Sequence, residues 1–178
     1  MKKSLFTLIV FCVITLATKA QSHFSYDLLL GVSPNTGQTF TAQKGYQNIF
    51  TGIALNYKIA ESPFQITSGV EVNIENQNMA DFLRIPLKLN YTIGQERTFY
   101  IGAGASYNYT ISAFTNVNEN QFDLLFETGT NLVLNQTLSL VPKVSYSYGL
   151  NELKYDANTT YRINYLMVAL ALRFHPTK

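Results

Sequence analysis

The sequence predicts an all-β fold, an eight-stranded antiparallel transmembrane up-and-down β-barrel preceded by a cleaved signal peptide, and three observations predict it. Eight segments alternate apolar and polar side chains with the period of a strand rather than of a helix. Only 13% of the residues are charged, about half the share usual in water-soluble domains. The connections alternate between short and long, as in barrels whose hairpins open on opposite sides of a membrane.

In chain order, Met1-Lys2-Lys3 forms a short positive n-region and Leu5 to Leu16 an uncharged apolar run of signal-peptide length. Lys19 interrupts the run before it is long enough to span a bilayer as a helix. Thr18 and Ala20 supply small residues at the −3 and −1 positions, so cleavage is expected between Ala20 and Gln21. The expected organisation is a signal peptide at 1-20 and a single outer-membrane β-barrel domain at 21-178. The sole cysteine, Cys12, lies in the leader, which leaves the mature chain without a disulfide, a lipobox thiol or a Cys nucleophile. Losing Lys2, Lys3 and Lys19 takes the basic count from 13 to 10 against 11 acidic residues, a net charge of −1. A nucleic-acid reading therefore loses its support.

Strands are expected at 24-33, 48-59, 64-76, 82-93, 98-111, 121-134, 138-150 and 161-174, each near the ten residues a tilted strand needs to cross a membrane. The third is the clearest: Phe64, Ile66, Val70, Val72 and Ile74 share one face, and Gln65, Thr67, Gly69, Glu71, Asn73 and Glu75 the other. The fourth repeats it, with Leu83, Ile85, Leu87, Leu89, Tyr91 and Ile93 against Arg84, Pro86, Lys88, Asn90 and Thr92. In the eighth, Leu166, Val168, Leu170, Leu172 and Phe174 facing lipid would turn Tyr161, Ile163, Tyr165 and Met167 inward unless a bulge near Asn164 changes the phase. Short turns at 60-63, 94-97 and 135-137 lie at the end that holds both termini, the periplasmic end in outer-membrane barrels; the segments 34-47, 77-81, 112-120 and 151-160 lie at the other.

A soluble lipocalin-like barrel would reverse the two faces, and charge density decides against it. A water-facing set of strands should carry many Lys and Glu residues, whereas the polar faces here hold a few charges among Ser, Thr, Asn and Gly. Those charges are expected inside the barrel as structural pairs: Glu75 opposite Arg84, Glu71 opposite Lys88, and Glu127 opposite or diagonal to Lys143. Gly102, Gly104, Gly129 and Gly149 on the same face would leave room for the long side chains. Outward aromatics would form two belts at headgroup level, Phe24, Tyr57, Phe64, Tyr91, Phe99 and Phe174 at the periplasmic side and Tyr107, Tyr109, Phe122, Tyr146 and Tyr148 at the outer side. Pro86 and Pro142 sit inside strands, where each removes a ladder hydrogen bond, and bulges are expected there.

The stretches FLRIPLKLNY (82-91), YIGAGASYNY (100-109), FETGTNLVL (126-134) and VSYSYGLNEL (144-153) resemble the bacterial outer-membrane β-barrel domain family that includes PorT-like and small OmpX-like barrels. LALRF (170-174) is similar to the closing strand of such proteins, although His175 to Lys178 follow it. The resemblance covers nearly all of the mature chain and implies a barrel rather than a reaction. It makes Pro86 after Ile85 a habitual feature, and implies for PorT-like members a role in assisting secretion.

Catalytic chemistry finds little to work with. GAGAS lacks the third glycine of a dinucleotide fingerprint. His23 and His175, the only histidines, fall at the periplasmic termini, far from lipid A, and no His or Asp spacing matches a metal site. Glu152, Asp156 and Asn158 in the last outer loop lack the pattern of a calcium loop. The expectation is a monomeric, non-enzymatic protein of the bacterial outer membrane, without cofactor, whose partners are the surrounding lipid and a protein contacted through loops 34-47, 112-120 and 151-160. A lipid-modifying enzyme, a narrow channel gated by the Glu71, Lys88, Glu75 and Arg84 charges, and a secretion accessory are the alternatives.

Overall fold

The computed structural model describes residues 23–34, 47–74, 81–94, 98–112, 120–151, 153–154, 160–161 and 164–176. The expected signal peptide 1-20, Glu75 and most of the segments 34-47, 77-81, 112-120 and 151-160 lie outside these residues.

Eight long strands form the wall: β1 (Phe24–Pro34), β2 (Gln47–Lys58), β3 (Phe64–Ile74), β4 (Asp81–Ile93), β5 (Phe99–Ser112), β6 (Gln121–Thr130), β7 (Leu138–Gly149) and β8 (Asn164–Phe174). Each pairs antiparallel with its chain neighbour, and β8 returns to β1, from Tyr26↔Phe174 to Val32↔Val168, which closes the barrel. Two elements are shorter than the alternation implies. The sixth breaks at Asn131 and resumes only as Leu132–Val133, and the eighth starts at Asn164, Tyr161 pairing instead with Leu153 in a separate two-stranded ladder.

The barrel is inside out relative to a water-soluble one. Leu30, Leu87 and Ile53 are 63%, 60% and 58% exposed, whereas Asp123, Asp27 and Asn56 are at 0%, 1% and 1%. An apolar belt of this extent could not persist in water, and lipid is the solvent that suits it. Rings bunch toward the two rims of that belt: Phe24 packs on Tyr57 at 5.0 Å and Phe64 on Tyr91 at 5.3 Å at the short-turn end, and Tyr107 on Phe122 at 5.1 Å at the other.

The register of the β3–β4 hairpin corrects the expected charge pairs. Arg84 lies opposite Glu71, not Glu75, and Lys88 lies opposite Thr67, not Glu71. The slip of four residues has a simple origin. Alternation fixes which face a residue occupies, and any even slip preserves the faces.

The bulges expected at Pro86 and Pro142 are absent as register shifts, and the shift in β4 lies instead at Asp81/Phe82; from Asn164 onward β8 runs without a shift. Each proline is accommodated by a lapse in one ladder. On the β3 side pairing stops at Gly69 and Val70, opposite Pro86 and Ile85, and the Ser68 hydroxyl donates to the Pro86 carbonyl at 2.9 Å. On the β6 side pairing stops across Thr130 and Asn131, opposite Pro142 and Val141, and resumes at Leu132↔Leu140 in unchanged register. With no shift at its start, β8 turns Tyr165 and Met167 inward and Val168, Leu170, Leu172 and Phe174 outward.

The orientation of the faces sets an energetic expectation. Leu87→Arg, near the middle of β4, should destabilise the barrel in lipid vesicles by about 2–4 kcal/mol, and Tyr91→Arg near its rim by at most about 1. The chain contains no Trp, so tyrosine fluorescence during urea unfolding reads the difference. Equal, small effects would place the lipid boundary elsewhere.

Candidate functional site

Because successive strand residues alternate faces, the polar residues of all eight strands converge on the lumen, where their charges balance. Among the described residues four carboxylates (Asp27, Glu71, Asp123, Glu127) and four cations (Arg84, Lys88, Lys143, Arg173) are buried there. They fall into three groups along the barrel.

Nearest the short-turn end, Arg173 donates to both oxygens of Asp27, Nε to Oδ1 at 2.7 Å and Nη2 to Oδ2 at 2.8 Å. The two residues face one another across the closing β1–β8 pair. This two-pronged contact is the strongest geometry available to a guanidinium and a carboxylate.

The middle group centres on Glu127. Lys88 Nζ lies 2.6 Å and Lys143 Nζ 3.4 Å from its Oε2, and the Tyr100 hydroxyl donates to Oε1 at 3.0 Å. Glu127 and Lys143 are diagonal, since Glu127 faces Ser145 and Lys143 faces Gly129. The Lys88 partner is thus Glu127, two strands away, rather than Glu71. Glycines on β5 and β6 leave space around the group: a Cβ at Gly102 would strike Asn90 Oδ1, and one at Gly129 would strike the Tyr100 ring.

The third group centres on Arg84, with Glu71 Oε2 at 3.6 Å from Nη1, Asp123 Oδ2 at 3.6 Å from Nη2, and Nε donating to Ser106 Oγ at 3.3 Å. Asp123 also accepts from Asn108 Nδ2 at 2.6 Å, Gln121 Nε2 at 2.7 Å and the Ser147 hydroxyl. A carboxylate held dry by several donors and a cation is tolerated where an isolated one is not. The sequence reading had found neither Asp123, nor Asp27 with Arg173, nor Tyr100. Inward parity was the available signal for all four.

Two cavities flank these groups. A polar vestibule of about 250 Å³ opens at the short-turn end, bordered by Lys58, Asn90, Tyr100, Arg173, His23 and His175. A void of about 10 Å³ lies among Glu71, Arg84, Asn108 and Tyr165, room for a single water at most. Lys88 and Lys143 border neither cavity and fill the lumen between them.

At the vestibule rim the geometry brings together a serine and a histidine that the sequence reading had not connected. Ser139 Oγ and His175 Nε2 are 2.8 Å apart, and the His175 amide donates to the Thr137 carbonyl at 2.8 Å. Ser139 has no exposed surface and His175 is half-buried. The contact clasps the chain after β8 to the start of β7. Among the described residues no group of three or more His, Cys, Asp or Glu side chains is placed to hold a metal ion.

Two measurements probe this interior. Glu127→Ala strands two buried ammonium groups and should cost about 3–5 kcal/mol in urea unfolding, whereas the same change in a Lys88→Met/Lys143→Met background should cost well under half of that. Equal costs would mean that the three residues are not coupled. The His175 imidazole is pushed below its ordinary pKa by burial and then by Arg173, with Asp27 opposing. Folding therefore favours the neutral ring. Its contribution is present above a pH of about 6.5 and lost as the pH falls further, so the wild-type unfolding midpoint should drop between about pH 7 and pH 5 by more than that of His175→Asn. Parallel profiles would remove the histidine from the account.

No family model matches the chain, and no curated protein matches it in sequence. Solved structures do match in fold. Neisserial surface protein A superposes with a TM-score of 0.68 at 12% identity, over 85% of this chain and 96% of that one. The outer membrane protein OprG from Pseudomonas aeruginosa gives 0.52 at 13% identity, over 86% and 96%, and the N-terminal β-barrel domain of OprF from the same organism gives 0.52 at 10%, over 83% and 96%. The chain has the fold of the small bacterial outer-membrane β-barrels, and its apolar belt and neutralised lumen are those of a wall that faces lipid.

Proposed function

We propose that this chain is a non-enzymatic, monomeric outer-membrane barrel that acts through the segments 34-47, 112-120 and 151-160, with its lumen serving as a structural plug. The observation that carries the reading is the middle group of Lys88, Glu127, Lys143 and Tyr100, which occupies the lumen between the vestibule and the inner void. A barrel of eight strands has little interior beyond what side chains fill, and these residues fill it with mutually neutralising charge. Selective contacts are then left to the loops. A secretion accessory of the PorT-like kind is the finer form of the same reading; it rests on the stretches quoted above and uses the same loops.

One observation favours a second reading. The Ser139 and His175 pair has the separation of a nucleophile and its base. Its burial counts against it, since a substrate carbonyl has no approach to Ser139 Oγ.

Three assays on the folded, membrane-inserted protein separate the readings. Photo-crosslinking residues placed at positions 114-119 on living cells should give a discrete protein adduct that the same residue at positions 60-62 does not. Planar bilayers should show no unitary conductance, and a fluorophosphonate probe should leave Ser139 unlabelled. Adducts confined to the short turns would overturn the loop reading, stepwise conductance would restore the channel, and labelling lost in Ser139→Ala would establish the enzyme.

A further inference from the structure

The outer wall of the barrel is not evenly covered. Ala103 on β5 faces Phe126 on β6, and Thr128, two residues along, faces Val144 on β7. The Thr128 hydroxyl is turned back to donate to the Tyr100 carbonyl at 3.0 Å, so the side chain offers its methyl group outward. Around these two short residues stand large ones. Phe126 and Tyr146 are paired across β6 and β7 on one side, and Phe64 and Tyr91 form a ring contact at the rim on the other. The result is an apolar groove of about 600 Å³ on the lipid face, running from the short-turn aromatic belt toward the middle of the wall.

We infer that this groove holds one acyl chain of a phospholipid from the periplasmic leaflet, retained more tightly than the lipid around the rest of the barrel. The groove is continuous with the lipid-facing belt, so its occupant comes from the bilayer. It begins at the rim marked by Phe64 and Tyr91, where phospholipid headgroups meet aromatic belts, and that rim is the short-turn, periplasmic one. The groove is walled by rings and floored by short side chains, which suits a flexible chain. A second barrel would present a convex wall and leave the notch empty, at the cost of lost dispersion contacts. The inference is independent of what the loops bind.

The test uses the full protein extracted from outer membranes in mild detergent and read by native mass spectrometry during washing with fresh detergent. Ala103→Phe fills the notch; Ala105→Phe adds the same ring to the same outward face of β5, beyond the groove residues. Heat-dependent gel mobility confirms that both variants are folded. Wild type and Ala105→Phe should keep a single phospholipid, and Ala103→Phe should keep at least about tenfold less, the change expected for loss of about 1.4 kcal/mol of binding. Re-addition of a palmitoyl-chain phosphatidylethanolamine should restore the bound species in wild type alone of the pair with Ala103→Phe. Equal retention by all three proteins would reduce the lipid to ordinary annular lipid and overturn the proposal, as would a dimer replacing the lipid-bound monomer.

Discussion

The structure depends on one requirement: in a hydrocarbon solvent every backbone donor and acceptor in the wall must be satisfied by the wall itself. The β1–β8 pairing from Tyr26↔Phe174 to Val32↔Val168 meets it by leaving no open edge. Closure at eight strands then makes the lumen narrow, and a narrow lumen excludes bulk water from the inward side chains. Charges inside must therefore neutralise one another. Asp27 and Arg173 lie on the closing pair itself and meet through two short hydrogen bonds. An even slip of β8 along β1 would keep both faces correct and separate these two ions, so their contact selects the register of closure.

Ionic selection of this kind explains what could be read from the chain and what could not. The inward placement of Glu71, Arg84, Lys88, Glu127 and Lys143 follows from parity, which a strand carries in its own residues. Partner identity follows from register, which depends on the loop that joins two strands. In β3–β4 the register sets Glu71 opposite Arg84, a slip of four residues from the pairing the sequence suggests. Glu127 and Lys143 were legible to within one step because only a short turn separates their strands. Asp27 and Arg173 are 146 residues apart, and no local pattern states how far the last strand slides along the first. Lys88 with Glu127 was hidden for another reason, since it bridges strands that are not hydrogen-bonded neighbours.

The prolines show the same division between a local rule and its tertiary solution. A missing N–H predicts a disturbed ladder, and both ladders are disturbed where Pro86 and Pro142 stand. A bulge would have re-phased every residue beyond it and carried charges into lipid. A lapse of two pairs without a shift costs hydrogen bonds locally and leaves the faces intact. The Ser68 hydroxyl, reaching the Pro86 carbonyl, recovers one of them.

These constraints also bear on where activity can reside. Ser139 and His175 have the separation of a catalytic pair, yet Ser139 is wholly enclosed. Ser139 faces the lumen at the start of β7, and the His175 ring that borders the vestibule covers its oxygen. Reaching that oxygen would require the ring to leave its contact. The Lys88, Glu127 and Lys143 group resists motion for a different reason: moving any one of the three strands the others as unpaired buried ions. Among the described residues, motion costs least where closure does not hold the side chains, at the vestibule rim and along the lipid-facing groove beside Ala103.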